Sequence, residues 1–292
     1  MRFRLVRELV DDGIDVAVAC RVLGVSRSGY YDWRGRPLSA RDVDNAYLAN
    51  TVVDIHTASR GSYGMPRMHA ELRLGMGLRV SRKRVAGLLR LAGRAGIGGN
   101  THRKRRSRPT PAPHDDRVQR RFLADAPNRL WCTDITEHPT ATGKVYCCAV
   151  LDVFSRVIVG WSIADHMRAE LVVDALQMAT WRRRPEPGAI VHADRGSQYT
   201  SWVFGHRLRE AGLLGSMGRI ASSVDNTMIE SFWSTMQREL LDTQRWSSQE
   251  QLASAIFEWI EAWYNPRRRH TSLRMLAPHK FETLHTAAVT AA

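Results

Sequence analysis

The chain has 292 residues, enough for two domains that each bury a core. Hydrophobic residues make up 43% and charged residues 25%, ordinary values that exclude a chain disordered throughout. The net charge of +14 is uneven: residues 1–121 hold 25 Lys and Arg against 11 Asp and Glu, whereas residues 122–292 hold 18 of each. A solvated basic surface would account for a small charge run. So complete an asymmetry points instead to a phosphate-rich partner for the first part. Cys20, Cys132, Cys147 and Cys148 form no CxxC pair. His56 and His69 are followed by no cysteine pair, so the sequence does not support a zinc-binding N-terminal domain. The thiols are expected to be buried in a reducing compartment. The start MRFRLVRELVDD is too charged for a signal peptide, and no apolar run approaches membrane-spanning length. A cytoplasmic protein with no membrane partner is expected.

Residues 1–93 read as short helices with polar breaks. Helical character over 15–23 ends at Gly24, and Ser26 is placed to cap a second helix over 27–33, giving helix, turn, helix. A related pair follows: a helix over 68–74, a break at GMGLRV, and a helix through Arg90 capped by Ser81. Its first turn carries Arg82, Lys83 and Arg84, where positive charge opposes the macrodipole and a phosphate would relieve it. The alternative is a pair of amphipathic hairpins that only pack together. Residues 94–121 read as a basic Gly- and Pro-containing linker with little core of its own. Its run Arg103, Lys104, Arg105, Arg106 either follows a DNA backbone or forms a solvated tether.

From Leu130 the pattern changes to strands. LWCTDIT alternates, with Trp131, Thr133 and Ile135 on one face and Cys132, Asp134 and Thr136 on the other. After a turn at ATGK come VYCCAVLDVF and RVIVGWSI, completing an antiparallel meander. Helix (168–181), strand (188–193), helix (201–211) and short strand (213–217) follow. A long helix opens near Asp225 and another spans 249–264. Strands first and then alternation predict an α/β fold, a mixed sheet with helices on its faces. In the helix near 225, Ile229, Phe232, Met236 and Leu240 form an apolar stripe, with Asn226, Glu230 and Gln237 on another face. Asp225 or Asn226 is placed to cap it; Asn226 is equally placed to touch DNA or a metal-bound water. The expected organisation is a helical DNA-binding region (1–93), a linker (94–121), a sheet domain with a C-terminal helix (122–285) and a tail (286–292).

Three acids stand in distinctive strings: Asp134 in WCTDIT, Asp194 in VHADRGSQYTS and Glu230 in VDNTMIESFWSTMQREL, with 35 residues between the last two. Alone, Asp134 could end a strand, Asp194 serve a turn and Glu230 sit on a solvated face. Together and in this order, the strings resemble the integrase-type transposases of bacterial insertion sequences, in particular the second reading frame of the IS3 group. The resemblance covers nearly the whole chain. It implies an RNase H-like catalytic core behind a helix-turn-helix-like domain, and a DDE recombinase that cleaves DNA and joins a 3′-OH to target DNA. In such enzymes the first Asp bridges two divalent cations, here Asp134, and the second Asp and the Glu flank them, here Asp194 and Glu230. Mg²⁺ is the implied ion, with Mn²⁺ as a substitute; hard oxygen ligands suit it and two ions support in-line phosphoryl transfer.

The resemblance also implies a bacterial, nucleoid-associated protein that forms a homo-oligomer on DNA and joins the product of an upstream frame. Arg195 and Gln198 follow Asp194, where a loop would meet substrate. YNPRRRHTSL also matches; its Arg267, Arg268 and His270 would bind a DNA end or merely cap the preceding helix. Asp152 is expected to be structural, pairing with Arg156. Two departures stand out: Gln237 where relatives carry Lys, and Ile220 with Ala221 where they carry Lys and Gly. The alternatives are a DNA-binding regulator or inactive remnant without catalysis, and an RNase H-type nuclease, which the basic N-terminal part does not fit.

Overall fold

A computed structural model describes residues 2–36, 39–97, 114–119, 121–218 and 226–290. Six helices come first: α1 (Arg2–Asp11), α2 (Val16–Val22), α3 (Arg27–Gly35), α4 (Ala40–Ala58), α5 (Met65–Ala70) and α6 (Arg82–Leu91). The capping signals hold. Ser26 Oγ accepts from Gly29 N at 3.1 Å, and Ser81 Oγ accepts from Arg84 N at 3.2 Å. Gly24 makes the turn between α2 and α3 at φ +63°, which a side chain rarely adopts. Asp15 also caps α2, accepting from Ala17 N at 2.8 Å.

These helices do not form one unit around one core. Val6, Ala19, Cys20 and Tyr30 of α1–α3 make a small cluster of their own. Val52, Ile55, Met68, Leu72, Val85, Leu88 and Leu89 of the α4–α6 region join the core under the sheet. Arg60 pairs with Glu258 at 2.8 Å and Arg269 with Glu71 at 2.5 Å across this junction.

The sheet has five strands in the order β3-β2-β1-β4-β5. They are β1 (Leu130–Thr140), β2 (Gly143–Asp152), β3 (Ile158–Ala164), β4 (Ile190–Ala193) and β5 (Leu214–Met217). The first three form the expected antiparallel meander, and β4 and β5 add in parallel to β1. Helices α7 (Ala169–Arg183) and α8 (Trp202–Glu210) cover one face, against Trp131, Val150 and Val191. Gly160 on β3 permits the close approach of α7: a Cβ there would lie 2.2 Å from Ala175 O.

The other face, with Cys132, Cys147, Ala149 and Leu151, packs against α9 (Thr227–Glu239) and α10 (Gln249–Glu258), the latter continuing through a π turn, Trp259–Tyr264. The predicted stripe is the anchor of α9: Ile229, Phe232, Met236 and Leu240 are all buried. Full burial of such side chains stabilises by about 1.5–3 kcal/mol each.

Near the end of the basic linker Val118 is buried and Arg117 N donates to Ser216 Oγ at 2.9 Å. One expectation needs correction. Residues 286–290 are not a tail but part of α11 (Pro278–Thr290), whose run TLHTAAVT contains no Gly or Pro to stop a helix. Glu282 fixes α11 to Arg183 at 2.6 Å. No helix among the described residues is long and apolar enough to cross a membrane.

Candidate active site

Asp134 stands on the central strand β1, opposite Ala149 of β2. On its other side β1 pairs with β4, Cys132 opposite His192. Two residues further along both chains come Asp134 and Asp194. Continuing the parallel register sets them side by side on the α9 face of the sheet. Asp194 is the first residue after β4, where the strand gives way to the DRGSQ loop. Its Oδ1 accepts from Gly196 N at 2.9 Å, so the carboxylate also shapes its own turn.

Glu230 reaches this end through α9. Asn226 Nδ2 donates to Thr133 O at 3.0 Å, a buried bond that fixes the start of α9 beside the residue preceding Asp134. Glu230 lies one turn on, its N–H donating to Asn226 O at 3.1 Å. Asn226 occupies the cap position without capping by its side chain, and it is buried, which corrects its assignment as a DNA contact. Its Oδ1 is buried and accepts no hydrogen bond from any described residue, leaving an acceptor one turn from Glu230.

Behind β1 lies a group that sequence reading missed. Thr133 Oγ1 is 3.2 Å from Tyr199 OH and 3.5 Å from Cys148 Sγ. Burial pushes the Cys148 thiol up to about 12, and the Asp134 and Asp194 charges add to the rise. Burial likewise raises Tyr199 well above its ordinary range, again with contributions from Cys148, Asp134 and Asp194. Both carboxylates thus act on the same two buried groups. Tyr199 belongs to the string SQYTS, so the signal was present, but one sequence could not reveal its partners.

Asp134 lies on β1, Asp194 follows the neighbouring β4, and Glu230 lies on the helix that Asn226 docks on β1. Their side chains are not gathered: among the described residues no three His, Cys, Asp or Glu groups are close enough to hold a metal ion. Asp194 is engaged by its own loop, and like charges repel unless a cation draws them together. The donor chemistry does fit a hard dication, since all three acids offer carboxylate oxygen. Residues 219–225, which lead into α9 and include Ile220, Ala221 and Asp225, lie outside the described residues.

The remaining predicted contacts divide. Arg82 and Lys83 are exposed, whereas Arg84 is half-buried and donates to Asn45 Oδ1 at 2.8 Å. Arg103, Lys104, Arg105 and Arg106 lie outside the described residues. Arg195 Nε donates to Gly218 O at 2.7 Å and Gln198 Nε2 to Met167 O at 3.0 Å, which tie down the loop after Asp194. Gln237 Nε2 donates to Asp242 Oδ1.

Arg267 is exposed, whereas Arg268 is buried in an ion pair. It is 3% exposed and grips Glu239 with both Nε and Nη2, at 2.9 and 2.8 Å. Removing a guanidinium from water is tolerated because this carboxylate meets it. His270 is half-buried, held well below its usual range by burial and by Arg268, Arg67 and Arg156. Asp152 is structural as expected, but by a different route. It is fully buried and accepts from Asn128 N at 2.6 Å and Phe154 N at 2.9 Å, rather than pairing with the Arg156 side chain.

A meander with two parallel additions, carrying acids on β1, after β4 and on α9, defines an integrase core. Two integrase core domain families match, over residues 124–223 and 212–278, and an HTH-like domain family matches over 42–105. Transposase InsF for insertion sequence IS3A of Escherichia coli (strain K12) is 36% identical, over 93% of this chain and 95% of that protein. The transposase for insertion sequence element IS904 of Lactococcus lactis subsp. lactis (strain IL1403) is 35% identical, over 84% and 96%. The chain belongs to the IS3-type insertion-sequence transposases. Among solved structures it is similar to the HTLV-2 integrase catalytic core domain in complex with magnesium, at 14% identity and a TM-score of 0.42, covering 55% of this chain and 99% of that one.

Proposed function

We propose that this transposase cleaves DNA at the ends of an insertion sequence and joins the freed 3′-OH to target DNA. Asp134, Asp194 and Glu230 are the residues that hold two divalent cations, Mg²⁺ in the cell with Mn²⁺ as a substitute. The observation that carries this reading is the parallel pairing of β1 and β4, with Asp134 and Asp194 each two residues beyond the pair Cys132 and His192, and Asn226 docking Glu230's helix on β1. Bound there, the cations would stabilise charge on the attacking and leaving oxygens of the scissile phosphate.

Asp134, Asp194 and Glu230 would hold these cations through their carboxylate oxygens. Asn226 is a positioning residue. Arg195 and Gln198 brace the loop that meets the strand. Arg82, Lys83, the Arg103–Arg106 run and Arg267 neutralise phosphates away from the cut. The helical region 1–93 and the linker 94–121 recognise DNA, and the sheet domain performs the reaction. The protein works as an oligomer on nucleoid DNA, together with the product of an upstream reading frame.

A second reading, a DNA-binding regulator without catalysis, draws on the ungathered carboxylates. A gel assay of strand transfer with Mg²⁺ and DNA carrying the element's ends separates the two. Product that vanishes in Asp134→Asn, with DNA binding retained, supports catalysis. Binding with no product under Mg²⁺ or Mn²⁺ supports the regulator.

A further inference from the structure

A cavity of about 390 Å³ opens on the flank of α9 turned away from Glu230. Arg238 of α9, Arg67 of α5, Arg156 of the β2–β3 turn and Arg268 all line it, with Ser62. The carboxylate in the lining is Glu239, which Arg268 already occupies. Arg67, Arg156 and Arg238 have no carboxylate partner among the described residues. Arg67 Nε and Ser62 Oγ are buried and hydrogen-bond to no described residue.

Three guanidinium groups without an ion pair of their own around one partly open space are costly to desolvate, although Glu239 offsets part of the charge on Arg67. Burial lowers the proton affinity of Arg67, and Arg268 lowers it further; Arg156 is lowered by burial as well. An anion with several oxygens answers all of these deficits, since planar guanidinium forks match phosphate. The volume is that of a small-molecule site, and it cannot admit a duplex.

We propose that this cavity binds the phosphate group of a single nucleotide, either free or at an unpaired DNA strand end. It is separate from the metal-holding acids and does not depend on them. Ser62 and the arginines supply donors, and Glu239 holds Arg268 in place.

The test uses the full chain. Melting and calorimetric titrations with inorganic phosphate, pyrophosphate and a deoxynucleoside monophosphate read the free source. Anisotropy with tailed oligonucleotides carrying a 5′-phosphate or a 5′-hydroxyl reads the strand end. Saturable binding should weaken at least about tenfold in Arg67→Gln and Arg238→Gln, while the exposed Arg90→Gln and the active-site Glu230→Gln retain it. Preference for the 5′-phosphate over the 5′-hydroxyl tail would assign the site to strand ends, and monophosphate binding without that preference to free nucleotide. If Arg67→Gln fails to melt cooperatively, Arg238→Gln decides, because that side chain is half-exposed. Absence of saturable binding by every probe, or wild-type affinity in the Arg238 variant, overturns the proposal.

Discussion

Two sets of charges flank α9 and are used in opposite ways. On one side Glu239 and Arg268 are buried together. On the other, Asp134 and Glu230 are half-buried and Asp194 is exposed. A buried charge persists only when partners satisfy it, so the first set is committed to architecture. Charges near solvent have a smaller desolvation cost. The same helix therefore carries a carboxylate buried in an ion pair at Glu239 and a half-buried one at Glu230, nine residues apart.

Substitution is the sharpest way to test that contrast. Asp134→Asn, Asp194→Asn and Glu230→Gln should each reduce strand transfer at least about 10⁴-fold, ~5.5 kcal/mol in barrier, while thermal unfolding moves by less than ~1 kcal/mol. Glu239→Ala should do the reverse, lowering stability by about 3–5 kcal/mol through the stranded Arg268. A milder loss in chemical denaturation would mean that the pair is wetter than its burial implies. Asn226→Ala should cost about 1–2 kcal/mol of stability from one buried hydrogen bond, with a disproportionate fall in turnover as α9 loses its dock on β1. Equal falls in stability and rate would make Asn226 merely structural.

The pH dependence tests the architectural side. His270 titrates well below the ordinary histidine range in the folded chain, whereas the unfolded chain takes up its proton near pH 6.5. Its contribution is complete above that pH and is lost as pH falls below it, because the unfolded state then binds more protons. Melting temperature should drop between pH 7 and 5, and His270→Gln should flatten that slope. The smallest effect is at the surface: Arg82→Gln and Lys83→Gln should each reduce the salt dependence of DNA binding by about one phosphate contact, with a slope change near 0.9. Unchanged slopes would remove α6 from the DNA interface.

Much of this was legible in the residues. Alternation in LWCTDIT fixed the two faces of β1, and Ser26 and Ser81 announced the starts of α3 and α6. The apolar stripe of α9 predicted which side it buries. What local pattern could not reveal were partnerships across long separations. Arg268 reads as a basic contact until Glu239, 29 residues earlier, is found beside it. Arg67, Arg156 and Arg238 come from three separate segments and meet only in the folded chain. The assignment of α4–α6 to the main core was hidden for the same reason, since amphipathic helices do not name the surface they cover.

Mn²⁺ titration followed by electron paramagnetic resonance, with end DNA present, reads most directly whether the Asp134, Asp194 and Glu230 carboxylates serve as a metal-holding set. Two ions per chain should bind in the wild-type protein, and that binding should be lost when all three are replaced by amides. Equal Mn²⁺ uptake by the two proteins, with DNA binding intact in both, would contradict the account.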